Sequence, residues 1–170
     1  MNDHRFHTIV TTVENKPGVL ARVAAMFARR GFNIESLAVA PTDDEHFSRI
    51  TFTVDVESAP LEQVVKQLDK LVNVVNIQEL DPGESVEREL MLITVHADPS
   101  ERGLILELID DFRAFVLNEN ESHMMMSLSA RPARLDEFEA RLRPYGITEI
   151  QRTGRVALPA LTKSEPADAG

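Results

Sequence analysis

The 170-residue chain contains no cysteine, which excludes disulfide staples, thiolate nucleophiles and cysteine-ligated metals. It has no basic run, and 28 acidic against 18 basic residues leave a net charge of −10. A surface of that sign repels phosphate backbones, so no nucleic-acid partner is expected. No apolar stretch approaches the ~20 residues that span a bilayer. Met1 to His7 is polar, and the Thr8 to Val13 run is too short for the apolar part of a signal peptide. A cytoplasmic protein without membrane association is the resulting expectation. No Gly-rich phosphate loop, nucleophile elbow or Walker pattern occurs. What is present is ordinary for a globular chain: 43% hydrophobic and 27% charged residues. Split into two small domains, this length gives each a thin core, so association with another chain is expected.

Hydrophobic periods alternate between strand-like and helix-like. Phe6 to Val13 is rich in β-branched residues and reads as a strand. Gly18 to Arg30 carries an apolar stripe at Val19, Leu20, Val23, Ala24 and Phe27, and Gly31 supplies a helix stop. Asn33 to Pro41 and Phe47 to Val56 read as strands around the polar turn Thr42 to Glu45. A second helical stripe at Leu61, Val64, Val65, Leu68 and Leu71 precedes a strand over Val72 to Leu80. The turn cluster Asp81-Pro82-Gly83-Glu84 marks a boundary.

The pattern then repeats. Strands are expected over Arg88 to Ala97, Ala114 to Leu117, His123 to Ser129 and Ile147 to Leu158. Helical stripes lie at Leu104 to Phe112 and Leu135 to Leu142. The expected fold is α+β: two ferredoxin-like β-α-β-β-α-β sandwiches in tandem, each with both helices on one sheet face. The expected divisions are a first domain over 5–81, a linker over 82–85, a second domain over 86–159 and a disordered tail over 160–170. Open sheets leave edges and a face to cover, most simply by a symmetric homodimer.

One loop combines the features of a ligand seat. In Glu14-Asn15-Lys16-Pro17-Gly18, Pro17 suits the first turn of a helix. Gly18 lets a ligand approach the backbone, and Asn15 offers a donor and an acceptor. The helix start beyond it favours a carboxylate, with Val19 and Leu20 as an apolar wall. Turn chemistry alone also accounts for these residue types. Asn33 is ambiguous in the same way, as turn residue or second contact. His4 and His7 are spaced like metal ligands, but His46, His96 and His123 are isolated, so no metal site is expected. Carboxylates fall on polar faces and turns. Met124-Met125-Met126 reads as adaptable apolar filler within a strand. No set of titratable groups has nameable catalytic roles, so no catalytic residues are expected.

Several segments carry a family resemblance. Glu14 to Leu20, Arg29 to Leu37, Val39 to Asp43, Gln67 to Val72, Val86 to Leu90 and Arg152 to Leu158 together resemble the small regulatory subunit of acetolactate synthase. The resemblance implies an N-terminal ACT domain, a C-terminal ferredoxin-like domain and a homodimer that binds valine, or leucine or isoleucine, at the ACT interface. It implies effector contacts from Asn15, Gly18, Val19 and Leu20 of one protomer and from Asn33 and Ile34 of the other. It further implies a regulatory chain with no catalysis or cofactor of its own. The partner would be the large catalytic subunit, a transferase carrying thiamine diphosphate, magnesium and FAD. The small subunit would activate it and mediate feedback inhibition in branched-chain amino-acid synthesis. Phe115 to Met126 departs from the family pattern. Two other readings compete: a freestanding ACT-type sensor for another target, and a small enzyme on a ferredoxin-like fold.

Overall fold

The computed structural model describes residues 6–55, 60–81 and 83–161. Its elements fall in two β-α-β-β-α-β units. The first comprises β1 (Phe6–Glu14), α1 (Val19–Arg30), β2 (Ile34–Pro41), β3 (Phe47–Asp55), α2 (Leu61–Leu68) and β4 (Val74–Leu80). Its antiparallel sheet has the order β2-β3-β1-β4, with β2 and β4 as edges. Alternation decides which side chains meet the helices. Ile9 and Val13 of β1 and Ile50, Phe52 and Val54 of β3 point one way, onto Val23, Met26 and Phe27 of α1 and Val64 and Leu68 of α2. Phe27 stacks on Phe52 with centroids 5.2 Å apart. Arg29 and Arg30 complement the negative end of α1, and Gly31 at φ 68° closes it in the left-handed conformation.

The second unit comprises β5 (Ser85–His96), α3 (Arg102–Phe112), β6 (Phe115–Glu119), β7 (His123–Ala130), α4 (Pro132–Leu142) and β8 (Ile147–Arg152), with the order β6-β7-β5-β8. Met91, Ile93, Met124, Met126, Ile105, Leu135 and Phe138 form its core. The methionine triplet is divided by the strand period: Met124 and Met126 are fully buried, while Met125 faces the opposite side and is half-buried.

Four expectations are corrected. The last strand is not continuous. Thr153 to Arg155 interrupts it, and Gly154 at φ 81° turns the chain out of the second sheet. The remainder is β9 (Val156–Pro159), which pairs antiparallel with Ser85 to Arg88 of β5. A glycine inside a strand pattern is the local reason. Second, α1 begins at Val19 with Gly18 as its N-cap, so Pro17 precedes the helix and does not occupy its first turn. Third, β4 starts at Val74, because Leu68 ends α2 and Val72 lies exposed in the intervening turn. Fourth, β6 runs on through Asn118 and Glu119, past the end expected at Leu117. The end of the third predicted strand at Val56, Pro82 of the predicted linker and the tail over 162–170 lie outside the described residues. Ala160, assigned to that tail, donates its N–H to Glu84 O at 2.8 Å.

The short β5–β9 ribbon explains the burial of the first sheet's other face. Glu87 and Ala157 point inward from it, and Ala157 packs with Val10 and Leu80. Thr8 donates to Glu87 Oε1 at 2.7 Å. Thr8, Val10, Thr51 and Thr53 are buried although they point away from both helices.

Candidate effector site

The β1–α1 loop stands at the exposed end of the first sheet. Asn15 N–H donates to His46 O at 2.7 Å, and Asn15 Nδ2 donates to Glu45 O at 2.9 Å. The β2–β3 turn thereby holds the Asn15 side chain by its donor and leaves Oδ1 as an acceptor. The Lys16 ammonium and the Asn73 amide hold the Glu14 carboxyl below its ordinary value. Asn73 in turn accepts from Arg22 Nη1 at 2.7 Å. This Lys16–Glu14–Asn73–Arg22 network ties the loop to the start of β4.

Gly18 has φ 82°, a conformation that glycine adopts without cost, and no atom lies within 4 Å of where its Cβ would stand. The space above it is open. α1 starts with no side-chain cap and no acidic residue in its first turn. Val19 N–H reaches Lys16 O at 3.3 Å and Arg22 N–H reaches Gly18 O at 3.0 Å. Leu20 and Ala21 therefore present the free first-turn donors, at the positive end of the helix dipole. Val19 is buried in the core and serves as floor, whereas Leu20 is 42% exposed and available as a wall. The loop is an open rim with the right donors for a carboxylate.

Asn33 and Ile34 are elsewhere. β1 and β2 both run antiparallel to β3, and Ile34 aligns with Val54 and through it with His7, while Pro41 aligns with Ser48 beside Val13. Ile34 thus begins β2 at the far end of the sheet from Asn15. From the first to the last of the 8 residues of β2 there are seven rises of about 3.3 Å, which separate the two ends of the strand by roughly 23 Å. Within one protomer the six predicted contacts do not converge. Asn15, Gly18, Val19 and Leu20 form one group, and Asn33 and Ile34 another.

Sequence reasoning missed the residues that join the second group to the other domain. Arg155 N–H donates to Ser36 Oγ at 3.3 Å, and Ser36 Oγ donates to Thr53 Oγ1 at 3.1 Å. The available signal was Gly154 itself, a glycine inside a strand-like run. Among the described residues, no three or more His, Asp or Glu side chains are grouped to hold a metal, and no helix is long and apolar enough to cross a membrane. His4 lies outside the described residues.

Comparison with known proteins decides the family. Residues 9–76 match the family model described as AHAS small subunit-like ACT domain, and residues 88–160 match the one described as small subunit of acetolactate synthase. The acetolactate synthase small subunit of Mycolicibacterium smegmatis is 47% identical over 152 residues, covering 89% of each chain. The chain belongs to the acetolactate synthase small-subunit family. The Mycobacterium leprae small subunit is 43% identical over 152 residues, 89% of this chain and 90% of that one. The crystal structure of the Thermotoga maritima small subunit superposes with a TM-score of 0.86 at 34% identity, covering 93% of this chain and 99% of that one. As a small subunit with an ACT domain, the chain has a regulatory role in branched-chain amino-acid synthesis and, by its class, a catalytic large-subunit partner.

Proposed function

We propose that this small subunit activates its catalytic partner and mediates feedback inhibition by valine, or by leucine or isoleucine, bound across a homodimer. The observation that carries this reading is the open helix start at Gly18. The effector carboxylate accepts from the free Leu20 and Ala21 N–H groups, where the helix dipole favours an anion. Its ammonium donates to Asn15 Oδ1. Leu20 lines one side of the branched side chain.

The separation of roughly 23 Å along β2 supports a site built from two protomers. β2 is an unpaired edge with Leu37 and Val39 partly exposed on it. Antiparallel pairing of β2 with a second β2 about a two-fold axis lays the Ile34 end of one protomer beside the Pro41 end of the other. That is the end where the partner's Asn15 to Leu20 loop stands, so Asn33 and Ile34 then close the rim. Effector binding and dimer geometry become one equilibrium. The catalytic partner holds thiamine diphosphate, magnesium and FAD, and the complex is cytoplasmic. If the coupling acts on binding, the partner alters valine affinity by the same factor as valine alters the partner's, on the order of 5–150-fold.

Calorimetric titration of the chain with valine, leucine and isoleucine tests the reading, together with the activity of the reconstituted complex. Saturable heat with at least one amino acid, and inhibition of the complex by that same one, is expected. Absence of heat with all three overturns it.

A further inference from the structure

The Thr153 to Arg155 loop belongs to the second unit by its bonds and to the first by its contacts. Thr153 N–H donates to Leu90 O at 3.1 Å and Leu90 N–H donates to Thr153 Oγ1 at 3.1 Å, which fastens the loop to β5. Its neighbour Arg152 donates to Glu89 Oε2 and to Asp136 Oδ1, each at 2.6 Å, joining β5 to α4. The Glu89 side chain is 7% exposed and the Arg152 side chain 27%, so this clasp is held largely away from water. Burial disfavours the Arg152 charge, yet hydrogen bonds to Asp136 and Glu89 outweigh that and raise its pKa. On its other side the loop presses on β2. A Cβ on Gly154 would stand 3.2 Å from Leu37 O and 3.4 Å from Leu37 N. Arg155 N–H donates to Ser36 Oγ, and Arg155 Nη1 stands 3.5 Å from Glu87 Oε2.

The place of contact on β2 matters. The register between β2 and β3 shifts between Ile34 and Ser36, so a bulge at Glu35 separates the strand's start from its body. A bulge re-aims the side chains beside it. Ser36 and Leu37, the residues touched by the loop, are the first after that bulge. Ile34 is the residue just before it.

We propose that Gly154 is a positioning residue of the effector site: it lets the Thr153–Arg155 loop seat directly on β2, so that the Ile34 end of β2 and the second domain move as one body. Glycine suits the left-handed φ, and the close approach of the Leu37 backbone is what leaves no room for a Cβ. A displacement at Ile34 on effector binding passes through Ser36 and Leu37 to the loop, and through the Arg152 clasp to β5 and α4. This inference rests on the effector reading above, but the contact itself is tested without an effector as well.

The test uses the full chain with Gly154→Asn. Asparagine tolerates the left-handed backbone, so the main change is a Cβ forced against Leu37. In complex with the catalytic subunit, the valine concentration for half inhibition rises by on the order of tenfold, within the range of a lost allosteric coupling. Valine affinity of the isolated chain changes by less than about threefold, because the backbone that Gly154 meets is that of Leu37, which is not one of the proposed effector contacts. Basal activation of the partner stays. In calorimetry without effector, the wild type unfolds in one transition and Gly154→Asn in two. Ser36→Ala, which keeps the glycine and removes the Ser36 hydrogen bonds to Arg155 and Thr53, moves half inhibition in the same direction by a smaller factor and decides the question if the first variant does not fold. Inhibition curves of the folded variants that overlay the wild type overturn the proposal. If the wild type binds none of the three amino acids, the effector reading fails, and the unfolding profile judges the contact alone: one unchanged transition in Gly154→Asn overturns it.

Discussion

The two units share an element order but treat the turn between their first strand and first helix in opposite ways. In the first, the turn is Lys16-Pro17-Gly18, with no side-chain cap and open space over the glycine. In the second, the corresponding turn is Asp98-Pro99-Ser100, and the Asp98 carboxylate accepts from Ser100 N–H at 2.9 Å and Ser100 Oγ at 2.6 Å. Those bonds hold its pKa below the ordinary carboxylate value. The second turn therefore carries an acidic group closed on its own Ser100, ahead of α3, whereas Lys16-Pro17-Gly18 carries none; the helices themselves both start without a side-chain cap. The sheet faces away from the helices differ too. The first is covered by the β5–β9 ribbon, whereas the second exposes Leu90, Leu92 and Phe115, the last at 71%. One topology thus carries an open glycine turn in one copy and a self-satisfied Asp-Pro-Ser turn in the other, because the few residues between strand and helix decide it.

Four substitutions or titrations break or sharpen that contrast. Phe52→Ala, at a fully buried ring stacked on Phe27, is expected to cost about 3–5 kcal/mol in the first unit. Denaturant unfolding measures it, and Phe138→Ala, equally buried in the second unit, should give a similar loss. A much smaller loss for Phe52 would mean that the first core is not independent of its ribbon.

Gly18→Asp gives the first turn the acidic group that the second already has. The carboxylate enters the open space and repels the effector's own. Valine affinity is expected to fall by at least tenfold, about 1.4 kcal/mol, while activation of the partner persists. Valine inhibition that survives this change places the effector elsewhere.

Thr8→Val removes the donor to Glu87 under the ribbon. A bond to a carboxylate at a partly buried position is worth about 1.5–3 kcal/mol, and Arg155 retains part of the satisfaction, so a loss near the lower end is expected. The urea midpoint reads it. The corresponding change on the second sheet's exposed face, Phe115→Ser, should stay within about 0.5 kcal/mol.

The smallest effect is the pH response of the Asp98 turn. A carboxyl with lowered folded pKa contributes stability that is present above the unfolded value, about 3.9, and is lost as pH falls through the folded pKa. Asp98→Asn should flatten the wild type's decline in urea midpoint over that acidic window. Equal slopes in the two proteins would mean that the turn adds nothing. Glu14, held low by Lys16 and Asn73, contributes with the same sign.

Most elements were legible because the local signals agreed. In α1 the apolar stripe, the basic last turn and Gly31 all specify the same helix. In β3 alternation assigned Ile50, Phe52 and Val54 to one face. The Asn15 to Leu20 rim was legible as a turn with free donors, since cap chemistry is local. The long-range pairings were not. The run Ile147 to Leu158 has one strand-like composition, and no neighbour in sequence says that its two halves pair with different stretches of β5. Nor does sequence place Gly154 on Leu37, a contact between residues more than a hundred positions apart.

By itself the sequence determined the two β-α-β-β-α-β units, their helix-facing cores and the chemistry of the Gly18 turn, because each depends on period, capping and backbone preference within a few residues. Only the tertiary structure decided that the Asn15 and Ile34 groups stand at opposite ends of a sheet, that a ribbon from the second unit covers the first, and that Gly154 joins them. Those outcomes depend on strand order and register, which are fixed by the competition of whole faces for burial and have no local signature.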